Sequence, residues 1–163
     1  MRKGTGMKDK HDLSGRVTIC LREPGGNVVE VRRFDNLITT AGRMLLAKLF
    51  TGALQTPNLK IAVGGKDDPA AAATDVDLRA RLDAAEATVP GLEQMEEEGE
   101  QRVVATISAT LPATGAASPQ EIREAGIELS FAGAEPVLYN HVTFPVISRA
   151  GNLEMTLTWE VIF

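Results

Sequence analysis

Apolar and polar positions alternate along most of this chain. Val17, Ile19 and Leu21 alternate with Arg16, Thr18 and Cys20, the period of a half-buried strand. Pro24-Gly25-Gly26-Asn27 is a dense turn signal, and Val28 to Arg33 resumes a β-rich pattern, so residues 15–33 are predicted to form a hairpin. The period then changes. Ala41, Leu45, Leu46, Leu49 and Phe50 recur at helical spacing, with Met44 beside them and Arg43 and Lys48 on the other flank. Asn36 or Thr39/Thr40 supplies the N-cap, and Gly52, which tolerates positive φ, supplies the stop. One amphipathic helix over about 40–51, laid on a sheet, is the expectation.

Beyond the helix, residues 59–63 read as a short strand ended by Gly64-Gly65, and 66–75 as a loop of small and acidic residues. Residues 75–86 are expected to include a short helix, capped by Asp75 and packed through Val76, Leu78 and Leu82. The run Glu93, Glu96, Glu97, Glu98 and Glu100 is read as a solvated hairpin tip or loop. Val103, Ala105, Ile107, Ala109 and Leu111 alternate next, followed by a small-residue loop over 112–118. Ser118-Pro119-Gln120-Glu121 has the form of a capping box opening one helical turn. Ala125, Ile127, Leu129 and Phe131 then alternate, Gly133 and Pro136 mark a turn, and residues 137–148 form a strand. Pro145 demotes its own position to an edge or a bulge, because proline donates no ladder hydrogen bond. After a loop at 149–152, Leu153, Met155, Leu157, Trp159, Val161 and Phe163 share one face of a final strand and Glu154, Thr156, Thr158 and Glu160 the other.

Together these elements predict a mainly β protein. It is an antiparallel β-sandwich of about seven or eight strands, with one amphipathic α-helix and one or two short helical turns. Residues 1–13 are too polar to bury themselves and are expected to be a flexible arm; residues 14–163 form a single β-sandwich domain.

Composition narrows the chemistry. One cysteine excludes an internal disulfide framework, and Cys20, on a predicted strand with no basic neighbour, reads as a packed thiol. Two histidines, His11 and His141, leave little material for a histidine-based metal site. Asp67, Asp68, Asp75 and Asp77 match no EF-hand spacing. Metal and cofactor are therefore expected to be absent. A net charge of −5 argues against nucleic acid as a partner, and no apolar run reaches the ~18–20 residues of a membrane span. Val63-Gly64-Gly65-Lys66 lacks the first glycine and the hydroxyl of a phosphate loop, and no nucleophile elbow is present. His141 beside Asn140 is the one plausible general base, and Tyr139 with His141 is the only hint of a carbohydrate site. No enzyme is expected.

Three ordered segments carry a resemblance. The first is Asn36-Leu37-Ile38-Thr39-Thr40-Ala41-Gly42, leading into Leu45 to Gly52. The second is Ile61-Ala62-Val63-Gly64-Gly65, then Pro69 and Thr74-Asp75-Val76-Asp77-Leu78. The third is Glu121 to Ile127, then Leu138 to Pro145 and the closing Leu157 to Phe163. In this order, over roughly residues 15–163, the chain resembles small structural proteins of tailed bacteriophages, of the tail-fibre-like or minor virion kind, and of phage-derived particles. The resemblance implies a non-enzymatic subunit with no catalytic residues, made in the host cytoplasm and built into a virion or phage-like particle. It also implies other virion proteins as partners and a homo-oligomer in a symmetric assembly. A tail, baseplate or fibre-attachment place is put first. A capsid decoration or head-fibre place, or a receptor- or carbohydrate-binding module at a fibre tip, stands as the alternative. Segments the sandwich does not require are the expected contacts: Arg2, Lys3, Lys8 and Lys10 in the arm, Asp67 and Asp68 in the 66–75 loop, and Glu96, Glu97 and Glu98 in the acidic run.

Overall fold

The computed structural model describes residues 13–53 and 57–163. The expected arm and its candidate contacts Arg2, Lys3, Lys8 and Lys10 lie outside the described residues, apart from Leu13 at the arm's end.

Two antiparallel sheets pack face to face as a β-sandwich. The first is built from β1 (Ser14–Arg22), β2 (Val28–Asp35), β6 (Thr88–Glu97), β7 (Glu100–Leu111) and β11 (Glu154–Ile162), in the order β2-β1-β11-β7-β6. The second runs β3-β10-β8-β4-β5, from β3 (Leu37–Ile38), β10 (Asn140–Arg149), β8 (Gln120–Ser130), β4 (Asn58–Gly64) and β5 (Arg81–Glu86), with β9 (Val137–Leu138) also on β8. The alternation explains the assembly. Val17, Ile19, Leu21, Met155, Leu157, Trp159 and Val161 point inward from one sheet, and Ile61, Val63, Ala125, Ile127 and Leu129 from the other. Trp159 is fully buried, and its indole N–H donates to Asn36 Oδ1 at 2.7 Å.

The one helix, α1 (Thr40–Phe50), is N-capped by Thr39, whose Oγ1 accepts from the Gly42 amide at 2.9 Å and donates to the Leu138 carbonyl at 2.6 Å. Asn36 is therefore not the cap. Gly42 lies against the Tyr139 carbonyl where a Cβ would collide, so the missing side chain sets how close the helix comes to the sheet. Leu45 is buried, but Phe50, expected on the apolar face, is 94% exposed.

The structure corrects three expectations. Residues 75–86 contain no helix: Asp75 to Ala80 is irregular chain ending in a turn at Arg79-Ala80, and Arg81–Glu86 pairs with β4. The capping-box segment does not open a helical turn either. Gln120 and Glu121 already belong to β8 and pair with Arg149 and Ser148 of β10. No short helical turns accompany α1 among the described residues, which hold nine strands of six residues or more and two of two residues. Pro145 does mark a bulge, since the β10–β8 register shifts between Thr143 and Ile147.

Candidate functional site

Alternate positions on β4 and β8 face away from the core, and residues 65–80 cross that outer face. Ala62, Leu78 and Leu138 form a small second apolar cluster there. Beside it lies a cluster of charged side chains joined by hydrogen bonds. His141 of β10 and Glu124 of β8 are both fully buried. The His141 ring meets Glu124 Oε2 through Nε2 at 2.9 Å and Asp75 Oδ2 through Nδ1 at 2.7 Å. Glu124 also accepts the amides of Arg79 at 2.9 Å and Ala80 at 2.7 Å. Asp75 accepts the Ala72 amide at 2.7 Å and the Arg79 guanidinium at 3.2 Å.

Both ring nitrogens thus lie at hydrogen-bond distance from a carboxyl oxygen, and each contact needs one hydrogen, on the ring nitrogen or on the carboxyl. The Arg79 guanidinium and the amides of Ala72, Arg79 and Ala80 supply further donors to the two carboxyls, the condition for burying them. Burial pushes the Asp75 carboxyl up. The Ala72 amide, the His141 ring and Arg79 outweigh that and hold it below the usual carboxylate range. Gly64 makes room: a Cβ there would run into the Glu124 carboxylate and come within 2.7 Å of the Ala80 carbonyl. The chemistry of this cluster is a clasp. It ties residues 72–80 to the sheet, with His141 and Glu124 sealed from solvent.

Tyr139 and His141, the hints of a carbohydrate site, are both buried rather than displayed on the surface. Burial pushes the Tyr139 phenol up to about 12. Asp75, considered with Asp67, Asp68 and Asp77 for a cation, is committed to the clasp instead. Asp67 faces Arg123 at 3.9 Å on the surface, and Asp68 is exposed near it in sequence. Glu96, Glu97 and Glu98 are exposed at the end of the β6–β7 hairpin, whose turn is Glu98-Gly99, but Glu96 and Glu97 still belong to β6. These candidate contacts are not brought together with one another.

Sequence reasoning missed two groups. Arg149, read as part of a loop, is a buried end residue of β10. It donates to the Pro112 carbonyl, to Gln120 Oε1 at 3.1 Å and to Asp83 Oδ2 at 3.3 Å, pinning the 112–118 loop. The second is a groove of about 550 Å³ on the outer face of the first sheet, lined by Arg16, Thr18, Arg33, Thr106, Thr158 and Glu160. Its signal was in the sequence as the polar positions that alternate with the core positions on four strands, β1, β2, β7 and β11.

Arg16 binds Glu160 there and reaches Glu97 at 3.7 Å. Glu97 lies six residues beyond Gly91, which sits in the Arg16 row of the sheet. Six residues of extended strand span about 20 Å, so the hairpin must curl back over its own sheet to make this contact. The Glu160 hydrogen bond raises the Arg16 guanidinium further above its already high range.

No helix among the described residues is long and apolar enough to cross a membrane. No protein-family model, curated protein or solved structure matches the chain.

Proposed function

We propose that the chain is a non-enzymatic structural subunit of a tailed-phage virion or phage-like particle, placed in a tail, baseplate or fibre attachment. One observation carries most of the weight: among the described residues the one buried histidine–carboxylate cluster is spent on holding the fold, while the sheet edge at β2, unpaired among those residues, presents Val28, Val29 and Val31 at about half exposure. Buried polar chemistry that serves the fold, beside exposed apolar surface, fits a protein whose work is contact. The ordered resemblance over residues 15–163 supplies the kind of assembly.

Fractionation of density-gradient-purified particles from the source tests this, using an antibody to the chain. The chain is expected in the particle band, at several copies per particle. Its restriction to the soluble fraction would overturn the reading.

The polar groove favours a second reading, a module that binds a polyhydroxyl ligand. Three threonine hydroxyls, two guanidiniums and a carboxylate offer both donors and acceptors. Chemical-shift changes at Thr106 and Thr158 on adding a host glycan would support it, and their absence with every glycan offered would count against it.

A further inference from the structure

The two edges of the first sheet are built differently. On β6 the edge is guarded: Pro90 lacks an N–H, the register slips between Thr88 and Gly91, and Glu93, Glu96 and Glu97 line the strand. Such devices keep strands from adding to one another. The second sheet ends on a two-residue strand, β3, and on the short, charged β5. Strand β2 carries charges as well, Glu30, Arg32, Arg33 and Asp35, but they are of both signs, so a register exists that sets unlike charges opposite one another. The strand is eight residues long, without proline or lysine, and its one bulge lies at its start, opposite Arg22. Among the described residues no strand pairs with its outer side.

We propose that β2 pairs antiparallel with β2 of a second copy about a twofold axis at Val31, joining the two five-stranded sheets into one. The register follows from charge. Side chains of two antiparallel strands share a face only when the paired residue numbers sum to an even value, because faces alternate every residue. A sum of 60 sets Glu30 against Glu30, 64 sets Arg32 against Arg32, and 66 sets Arg33 against Arg33. A sum of 62 sets Val31 against Val31, Val29 against Arg33, and Glu30 against Arg32 twice over. Of the registers that overlap over most of the strand, it alone opposes unlike charges. The same two residues already attract each other within a strand, at 2.6 Å, while staying 43% and 30% exposed and open to a second partner. A twofold contact must be self-complementary in this way. The exposed valines lose their water in the same step.

Edge pairing rests on the structural-subunit reading for its purpose and not for its chemistry. A dimer formed by a chain that is absent from particles would overturn that reading and leave the pairing standing.

The test is the solution mass of the full chain by analytical ultracentrifugation. The wild type is expected as a dimer of the 17.4 kDa chain. Glu30→Arg and Arg32→Glu each put like charges opposite one another at two places. Each is expected to weaken the dimer about tenfold or more with unchanged circular dichroism, and to lower the melting temperature only by what dimer formation had added to it. The double variant E30R/R32E restores both pairs and should restore the dimer. Val31→Cys, made with Cys20→Ser because Cys20 neighbours Val31 across β1 and β2, should crosslink between copies under copper–phenanthroline oxidation, and Leu92→Cys on β6 should not. A monomer throughout, or an oligomer indifferent to both single charge swaps, would overturn the pairing.

Discussion

His141 joins a half-buried carboxyl, Asp75, to a fully buried one, Glu124, so removing it takes one hydrogen-bond partner from each. His141→Leu is expected to cost about 1–3 kcal/mol of stability, the usual penalty for leaving a buried polar group short of a partner. The loss should appear in urea unfolding.

The Asp75 carboxyl lies below its ordinary range through the Ala72 amide, His141 and Arg79, which outweigh burial. As pH falls the unfolded chain therefore takes up this proton first. The stability Asp75 contributes is full above its unfolded pKa of about 3.9 and is lost as pH drops through the lower folded value. Urea midpoints of the wild type and Asp75→Asn should differ most near neutral pH and draw together in acid. A gap of constant width down to pH 2 would contradict this account. Gly64→Ala should cost about 1–3 kcal/mol, because the new methyl must displace a buried carboxylate or the Ala80 carbonyl.

The sequence offered His141 as a strand histidine and Asp75 as a cap, but nothing joined them. They are 66 residues apart, and Glu124 is 17 residues from His141. Local spacing holds no trace of partners brought together only by β8, β10 and a crossing loop. The one trace was indirect: polar Glu124 and small Gly126 stand on a strand whose other face is apolar.

At the scale of elements, the helix and most strands were legible because their period is local. The errors have a common cause. Asp75 followed by Val76, Leu78 and Leu82 satisfies a helix start, yet Leu78 is claimed by Ala62 and Leu138 and Asp75 by His141. Ser118 to Glu121 satisfies a capping box, yet Gln120 is claimed by Arg149. In each case a distant partner outbids a local preference. The helix cap shows where local and distant demands agree, since Thr39 serves the Gly42 amide and the Leu138 carbonyl together. Thr39→Ala should therefore cost about 1–2 kcal/mol in chemical denaturation. Phe50→Ser, at the exposed end of the same helix, should stay within about 0.5 kcal/mol of the wild type.

At the scale of the molecule, the sandwich was readable from alternation alone, but not which strands stand at its edges. That depends on strand order, and strand order is fixed by pairings such as β1 with β11, at opposite ends of the chain. The difference matters for assembly. The proposed self-association has two competing modes to be told apart, exchange of the basic segment before Leu13 and pairing of the β2 edges. Removing residues 1–13 abolishes the first and leaves Val29 to Arg33 intact. Light scattering on the shortened protein should therefore still find a dimer, and E30R should dissociate it in both the full and the shortened chain. A shortened chain that is monomeric while the full chain is dimeric would move the contact from the edge to the arm. Added salt separates the modes further. Edge pairing draws on backbone hydrogen bonds and buried valines as well as two ion pairs, so raising salt to about 1 M should weaken it only modestly, whereas an arm held by its basic residues should be released.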